Sequence, residues 1–166
     1  MKRATICCNV FFLIISGCSS LSTSKIRMAL FVEQKSGQGE PVVEMKVFRA
    51  SPKVLFVASN PVLEVGKGVL NGAILREGAD KVLSLELHFT SRGKALLQDI
   101  TTRYRQQRLF IVVAMPDEAD KKRIVSRCIG VFYVQKTIDE NMLRFTPDTN
   151  ETEAIEIVNG LNKALR

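Results

Sequence analysis

Histidine is almost absent from this sequence, since His88 is the only one among 166 residues. A single histidine excludes the usual multi-histidine metal sites and makes a general acid–base site difficult to assemble. The sequence also lacks paired catalytic carboxylates, a Ser–His–Asp set and a cysteine–histidine cluster. We therefore expect no enzyme activity, no metal, no cofactor and no small-molecule substrate.

Apolar runs long enough to cross a bilayer are absent as well. The run near the N-terminus covers residues 6–15 and is interrupted by an asparagine, so it has about ten residues where a spanning helix needs about twenty. Lys2 and Arg3 precede it, and the small pair Ser16-Gly17 follows. These are the charged, apolar and cleavage regions of an export signal. We predict that residues 1–17 are a signal peptide.

The end of this signal, Ile15-Ser16-Gly17-Cys18, is similar to the bacterial lipobox, in which an aliphatic and two small residues precede a cysteine. The resemblance implies that the Cys18 sulfur carries diacylglycerol, that a lipoprotein signal peptidase cuts after Gly17, and that Cys18 becomes an N-acylated terminus. The alternative is an ordinary secretory signal with a chance cysteine. Each buried methylene contributes about 0.8 kcal/mol, so two or three acyl chains anchor a protein firmly.

A short tether then connects the predicted anchor to the folded chain. Ser19–Ser24 (SSLSTS) is polar and reaches only about 20 Å at ~3.3–3.6 Å per residue. Residues 18–25 therefore keep the domain close to a membrane, facing the periplasm. Ser19, rather than an aspartate, follows Cys18, which favours the outer membrane over the inner one.

The size and charge of the chain limit its partners. Residues 26–166 are enough for a single domain. The net charge of +7 includes Lys2 and Arg3, so +5 remains once the signal is removed. Export argues against nucleic acid as a partner. The basic groups at 103–108 and 121–123 are either solvated faces or contacts for acidic headgroups.

Other short motifs have structural interpretations. Cys128 is alone in the mature chain, which excludes an internal disulfide, and its apolar neighbours predict burial as a small hydrophobic residue rather than a nucleophile. Gly66-Lys67-Gly68 lacks the spacing of a phosphate loop and predicts a turn. Asn150-Glu151-Thr152 matches a glycosylation sequon, but we interpret it as helix capping.

Hydrophobic periodicity predicts one well-defined strand. Leu83, Leu85, Leu87 and Phe89 alternate with Ser84, Glu86 and His88, which is the pattern of a half-buried strand. This alternation predicts a solvent-exposed face on which His88 points outward beside Glu86. Further strands are expected at 26–34, 42–50, 53–65 with a break at Asn60-Pro61, 71–77, 108–114, 124–134 and 141–146.

Two helices are expected. Leu96, Leu97, Ile100 and Tyr104 have helical spacing, with Thr90 or Ser91 as the cap and an end near Gln107. The second helix follows Asp148, whose side chain and Glu151 three residues later fit a capping pattern. Its apolar face contains Ala154, Val158, Leu161 and Leu165, despite Gly160 costing about 1 kcal/mol. The order of elements predicts an α+β, ferredoxin-like fold, with both helices on one face of a mainly antiparallel sheet.

Three segments resemble a known family. They are Pro61-Val62-Leu63, the stretch LSLELHFTSRGKALLQDITTRYRQQRLFIVV with its T-x-x-G helix start, and RFTPDTNETEAIEIVNGLNKAL. On these, residues 54–165 resemble the head subdomain in the first periplasmic domain of the SecD/SecDF protein-export subunit. The last segment is most similar to lipid-anchored relatives of that head. The resemblance implies a mobile module that contacts polypeptide, and it transfers no functional residue.

The chain departs from the export subunit in two respects. It has no transmembrane helices, so it lacks the proton-coupled motor of full-length members. Val131-Phe132 stands where the family often has an Ala-Pro turn. We therefore expect a membrane-anchored binding module with a protein or polypeptide partner and a link to export, which would pair with extended chains at an exposed strand edge. The alternative is a structural or assembly component of an envelope complex.

The anchor has a direct test. Mass spectrometry of the mature native protein should find an N-terminus at Cys18 that carries acyl chains, and the protein should enter the detergent phase on partitioning. A native chain that begins at Met1, or one that stays in the aqueous phase, would contradict the prediction.

Overall fold

The structure, a computed structural model, describes residues 26–34, 41–78, 80–117, 119–120 and 122–166. The predicted signal peptide, Cys18 and the tether lie outside these residues. Within them the strands are β1 Arg27–Val32, β2 Val42–Val47, β3 Lys53–Ala58, β4 Leu63–Val65, β5 Leu70–Glu77, β6 Leu83–Phe89, β7 Arg108–Pro116, β8 Ile124–Tyr133 and β9 Met142–Phe145. The helices are α1 Ser91–Arg103 and α2 Glu151–Leu165.

The α+β class is confirmed, and every pairing between these strands is antiparallel. The expected single sheet is divided into three. They have the strand orders β4-β1-β7-β8, β2-β3 and β5-β6-β9. We call the first of these the central sheet. The helices bury apolar side chains in the same core as the strands, with α2 packed on β5 and α1 on β6.

Both faces of the central sheet are buried. Along β7, Leu109, Ile111 and Val113 enter a large core shared with the helices and with sheet β5-β6-β9. The intervening Phe110 and Val112 enter a smaller core beneath the hairpin β2–β3. Burial on both faces explains why the β7 sequence is continuously apolar instead of alternating.

A bulge in β8 adjusts which side chains meet the hairpin. Ile111 pairs with Gly130 and Val112 with Cys128, so Ile129 has no partner residue on β7. An extra residue reverses the alternation of side chains along a strand. As a result Cys128 and Val131, three residues apart, both contribute to the smaller core.

Helix α1 begins as predicted but ends early. The Thr90 hydroxyl accepts a hydrogen bond from the Gly93 N–H at 3.0 Å and donates one to the Gly68 carbonyl at 2.8 Å. A Cβ on Gly93 would lie 2.0 Å from the Val69 carbonyl oxygen, so the T-x-x-G motif needs its glycine. The predicted end near Gln107 is wrong, because Gln106 has a φ of 61° and turns the chain toward β7.

Helix α2 has its cap two residues later than the pattern predicted. The Asn150 side chain, not that of Asp148, accepts from the Glu153 N–H at 2.8 Å, whereas Asp148 makes contacts outside the helix. The structure also explains why glycine occupies position 160, which the sequence alone does not. A Cβ at this position would lie 2.4 Å from the Ile26 side chain, so α2 can approach β1 only with glycine there.

Asn162 of α2 closes one edge of sheet β5-β6-β9. Its Oδ1 accepts from the Ala73 N–H and its Nδ2 donates to the Ala73 carbonyl, both at 2.8 Å. A side-chain amide has the same donor and acceptor as a peptide group, so Asn162 pairs with β5 as a neighbouring strand would. The GLN sequence of α2 therefore supplies a close approach at Gly160, a core residue at Leu161 and an edge clamp at Asn162.

The clamp predicts a specific loss of stability. Asn162→Ala leaves the N–H and carbonyl of the buried Ala73 without partners, so the free energy of unfolding should fall by about 2–4 kcal/mol. The same change at the exposed Asn159, one turn earlier, should shift it by no more than about 0.5 kcal/mol. Urea unfolding of both variants measures the difference, and equal effects would contradict the role of the clamp.

Candidate functional site

Strand edges are the places where this fold could pair with another chain. The candidate site is therefore an edge whose backbone groups no other element covers. The edge of β5 is covered at Ala73 by Asn162. On β8 the carbonyl of the bulged Ile129 accepts from the Asp148 N–H at 2.7 Å, which covers the middle of that edge. Strand β4 has only three residues. These three edges offer little continuous backbone, and β9, the other edge of sheet β5-β6-β9, has only four residues.

Two hydrogen bonds determine how the backbone groups of β3 are directed. The Phe56 carbonyl accepts from the N–H of Gln34, just beyond β1, at 3.0 Å, so the groups of Phe56 point away from β2. The Ser59 N–H donates to the Pro41 carbonyl at 3.0 Å, so the groups of Ser59 point toward β2. The backbone groups of successive residues point to opposite edges of a strand. The odd-numbered residues of β3 therefore form the hydrogen bonds to β2.

The same alternation leaves the N–H and carbonyl groups of Val42, Glu44 and Lys46 on the outer edge of β2. The residues between them, Val43 and Met45, direct their backbone groups toward β3. Strand β8 lies beside β2, but the two strands are not hydrogen-bonded. No residue that the structure describes pairs with this outer edge, and the side chains of Glu44 and Lys46 are exposed. Among the described residues β2 is thus an edge strand whose outer backbone groups have no partner, and we call it the candidate edge.

Apolar side chains flank the candidate edge. Val43 is 37% exposed, and Val54 on the neighbouring strand is 51% exposed. Apolar exposure beside free backbone groups provides both of the components that strand addition uses, which are hydrogen bonds for affinity and side-chain contacts for selectivity.

The turn of the hairpin is fixed to the rest of the domain through Arg49. Its N–H donates to the Asp148 carboxylate at 2.8 Å, and its guanidinium pairs with the buried Glu153 of α2. Arg127 of β8 pairs with the same Glu153 carboxylate. These residues are far apart in the sequence and form no motif, so no sequence pattern indicates them. Glu153 therefore joins the hairpin, β8 and α2 at one point.

The face of β6 predicted to be wet holds a buried acid instead. Glu86 is only 1% exposed, because Arg76, His88 and Arg144 cover its carboxylate. The Arg76 guanidinium, with Nε 2.9 Å from Oε2, holds the pKa of Glu86 below its ordinary value and outweighs the opposing effect of burial. His88 lies beside Glu86 as predicted, with Nε2 at 3.3 Å. One acid beneath two arginines is a structural cluster and provides no acid–base pair.

The other residues that the sequence singled out have structural positions. Cys128 is buried as predicted, and burial raises the pKa of its thiol to about 11, so it is not an activated nucleophile. Gly66 and Gly68 form the predicted turn, with Gly68 at a φ of 86°. In the basic group at 103–108, Arg103 pairs with Asp99 and Arg108 with Glu33.

The described part of the chain contains neither a group of metal-binding side chains nor a membrane-spanning helix. No three His, Cys, Asp or Glu side chains are grouped there so that they could hold a metal ion. Neither described helix has the length and apolar character needed to span a membrane.

Comparison with solved structures identifies the fold. The chain is similar to the structure described as a membrane component SecDF that enhances protein export, with a TM-score of 0.58 and 12% identity over 86% of this chain and 64% of that one. It is also similar to SecDF in a super-membrane-facing form, with a TM-score of 0.57 and 12% identity over 86% of this chain and 19% of that one. The fold is thus SecD-like, and the chain spans less than two thirds of either relative.

The similarity is one of backbone structure, because no protein-family model and no curated protein matches the chain. A shared fold at 12% identity transfers no chemical role to His88, to Cys128 or to any other side chain. The predicted lipid site at Cys18 and cleavage after Gly17 remain predictions, since they lie outside the described residues.

The Glu86 cluster predicts an acid-sensitive fold. A carboxyl group whose pKa is lower in the folded state stabilises the fold above its ordinary pKa of 4.5, and this contribution is lost as the pH falls through the folded-state value. Between about pH 5 and pH 3, wild type should therefore lose more free energy of unfolding than Glu86→Gln, which has no proton to gain. Urea unfolding at several pH values measures this, and parallel curves would contradict it.

Proposed function

We propose that the protein is an envelope lipoprotein whose SecD-like domain binds extended polypeptide at the candidate edge, in a process linked to protein export. The observation that carries the proposal is the outer edge of β2, with free backbone groups at Val42, Glu44 and Lys46. The similarity of the fold to SecDF, described as enhancing protein export, supports the link to export.

Strand addition provides the binding mechanism. An incoming segment would donate to and accept from the outer groups of β2, which requires no particular sequence in the segment because the bonds involve its backbone. Its alternate side chains would lie beside Val43 on one face and beside Glu44 and Lys46 on the other. Such a site suits a module that meets many different chains, and it requires no cofactor or catalytic residue.

The proposed location follows from the sequence. Lipidation of Cys18 would hold the domain at the periplasmic surface of a membrane, with the outer membrane favoured by Ser19. Exported polypeptides are extended before they fold, and the periplasm is where they emerge. A non-catalytic, anchored domain with a free strand edge would meet them there.

Proline substitution tests the candidate edge with a matched control. Glu44→Pro removes the outer N–H of β2 without removing a bond to β3, whereas Glu44→Ala removes the same side chain and keeps the N–H. A photo-crosslinking amino acid at Val43 of the full-length protein, in intact cells, should capture several exported proteins. Glu44→Pro should reduce this yield by about fivefold, which corresponds to the loss of one hydrogen bond of about 1 kcal/mol.

The control variant and the identity of the captured proteins decide the outcome. Glu44→Ala should crosslink as wild type does, and circular dichroism should confirm that both variants are folded. Equal yields from Glu44→Pro and Glu44→Ala would contradict strand addition. Capture of one partner in fixed stoichiometry, with no exported chains, would instead identify a structural component of an envelope complex.

A further inference from the structure

One end of the central sheet holds Ile26, the first described residue after the predicted tether. Strand β1 begins at Arg27, which pairs with Ala114 near the end of β7, and β7 ends at Pro116, which pairs with Ile124 at the start of β8. The chain enters at Ile26, which lines a shallow cleft with Pro116 and two residues of α2. We call this the tether end of the domain.

The turn of the hairpin lies at the same end. Arg49 lines a second cleft together with Pro116, Val125 and Glu153, so the adjacent Phe48 is placed near the start of β8. Phe48 has a φ of 63°, a conformation that costs a non-glycine residue energy and persists only where the surroundings enforce it. Arg49 supplies that restraint through its contacts with Asp148 and Glu153. The backbone that carries the Phe48 ring, which is 46% exposed, is thus held in place by the fold.

Two more exposed apolar side chains share this end. Ile124 is 44% exposed at the first position of β8. Ile155 is also 44% exposed and lies one helical turn from Asn159, which lines the cleft beside Ile26. Phe48, Ile124 and Ile155 come from three different elements, so their common position is a property of the tertiary structure.

Basic side chains lie near these apolar residues, together with two exposed acids, Asp120 and the Glu156 that lines the cleft at Ile26. Arg27 begins β1, Lys67 lies in the turn after β4, and Lys122 precedes β8, and all three are exposed. None of the three forms an ion pair with a described residue, although Asp117 nearby pairs with Arg123 at 3.9 Å. Apolar side chains among unpaired cations match the interface of a bilayer with acidic headgroups.

We infer that the tether end rests on the lipid surface, with Phe48 and Ile124 inserted among the headgroups. The inference relies on the proposed anchor at Cys18, because Ile26 follows Cys18 by eight residues. At ~3.3–3.6 Å per residue the connection reaches at most ~29 Å, which brings the end at Ile26 nearest to the bilayer. The opposite end of β8, at Tyr133, is ~30 Å away at about 3.3 Å per residue. The domain therefore stands on the membrane with its strands rising away from it.

Tryptophan fluorescence tests this orientation directly, because the chain contains no tryptophan. Phe48→Trp and Ile124→Trp place a single reporter at the tether end, and Tyr133→Trp places one at the opposite end, where the side chain is 52% exposed. The full-length lipidated protein is reconstituted in vesicles of phosphatidylethanolamine and phosphatidylglycerol that carry bromine on the acyl chains near the headgroup. Bromine quenches only a tryptophan close to it.

The inference predicts strong quenching and a blue-shifted emission for the reporters at 48 and 124, and neither effect at 133. Flotation of the vesicles shows independently whether the protein is anchored to them. Protein that floats but shows no quenching at 48 and 124, or equal quenching at 133, would overturn the orientation and leave the anchor intact. Protein that does not float would overturn the anchor, and the orientation with it.

Discussion

Burial of the central sheet on both faces is the constraint on which the rest of this structure depends. The apolar residues of β7 face alternately into two cores, and neither face can be left in water without a loss of about 25 cal/mol for each Å² of apolar surface. The helices and sheet β5-β6-β9 cover one face. The hairpin β2–β3 covers the other, and the bulge at Ile129 directs both Cys128 and Val131 toward it.

The hairpin that completes the second core also provides the candidate site. It is a separate sheet of two strands, so the outer edge of each strand has no partner within that sheet. Unless another element covers it, such an edge is left unpaired. Arg49 fastens its turn to Glu153, and a bridge from Glu33 to Val57 joins its other end to β1. Held at both ends, β2 keeps its backbone groups at the domain surface. A rigid edge loses little conformational entropy on binding.

Local signals predicted the local structure well. The alternation through Leu83–Phe89, the Thr90 cap of α1 and the apolar face of α2 each depend on residues within about one or two turns of one another. The same local patterns failed where distant groups decide. Glu86 belongs to an alternating strand, yet arginines from β5 and β9 cover it. Strand β2 ends before its predicted limit because Phe48 has a positive φ and Arg49 contacts Glu153 of α2. No residue near Phe48 in the sequence indicates this contact.

The sequence by itself determined the α+β class, the start of α1 and the buried position of Cys128, because propensity, capping and periodicity act between near neighbours. Its predicted export signal and lipobox are likewise local patterns that a processing enzyme reads in an extended chain. Only the tertiary structure decided which backbone groups of β2 face outward, which side chains surround Glu153 and at which end of the central sheet Ile26 lies. Those features require distant residues to meet, such as Arg49 and Glu153, which are 104 positions apart, and packing alone brings them together.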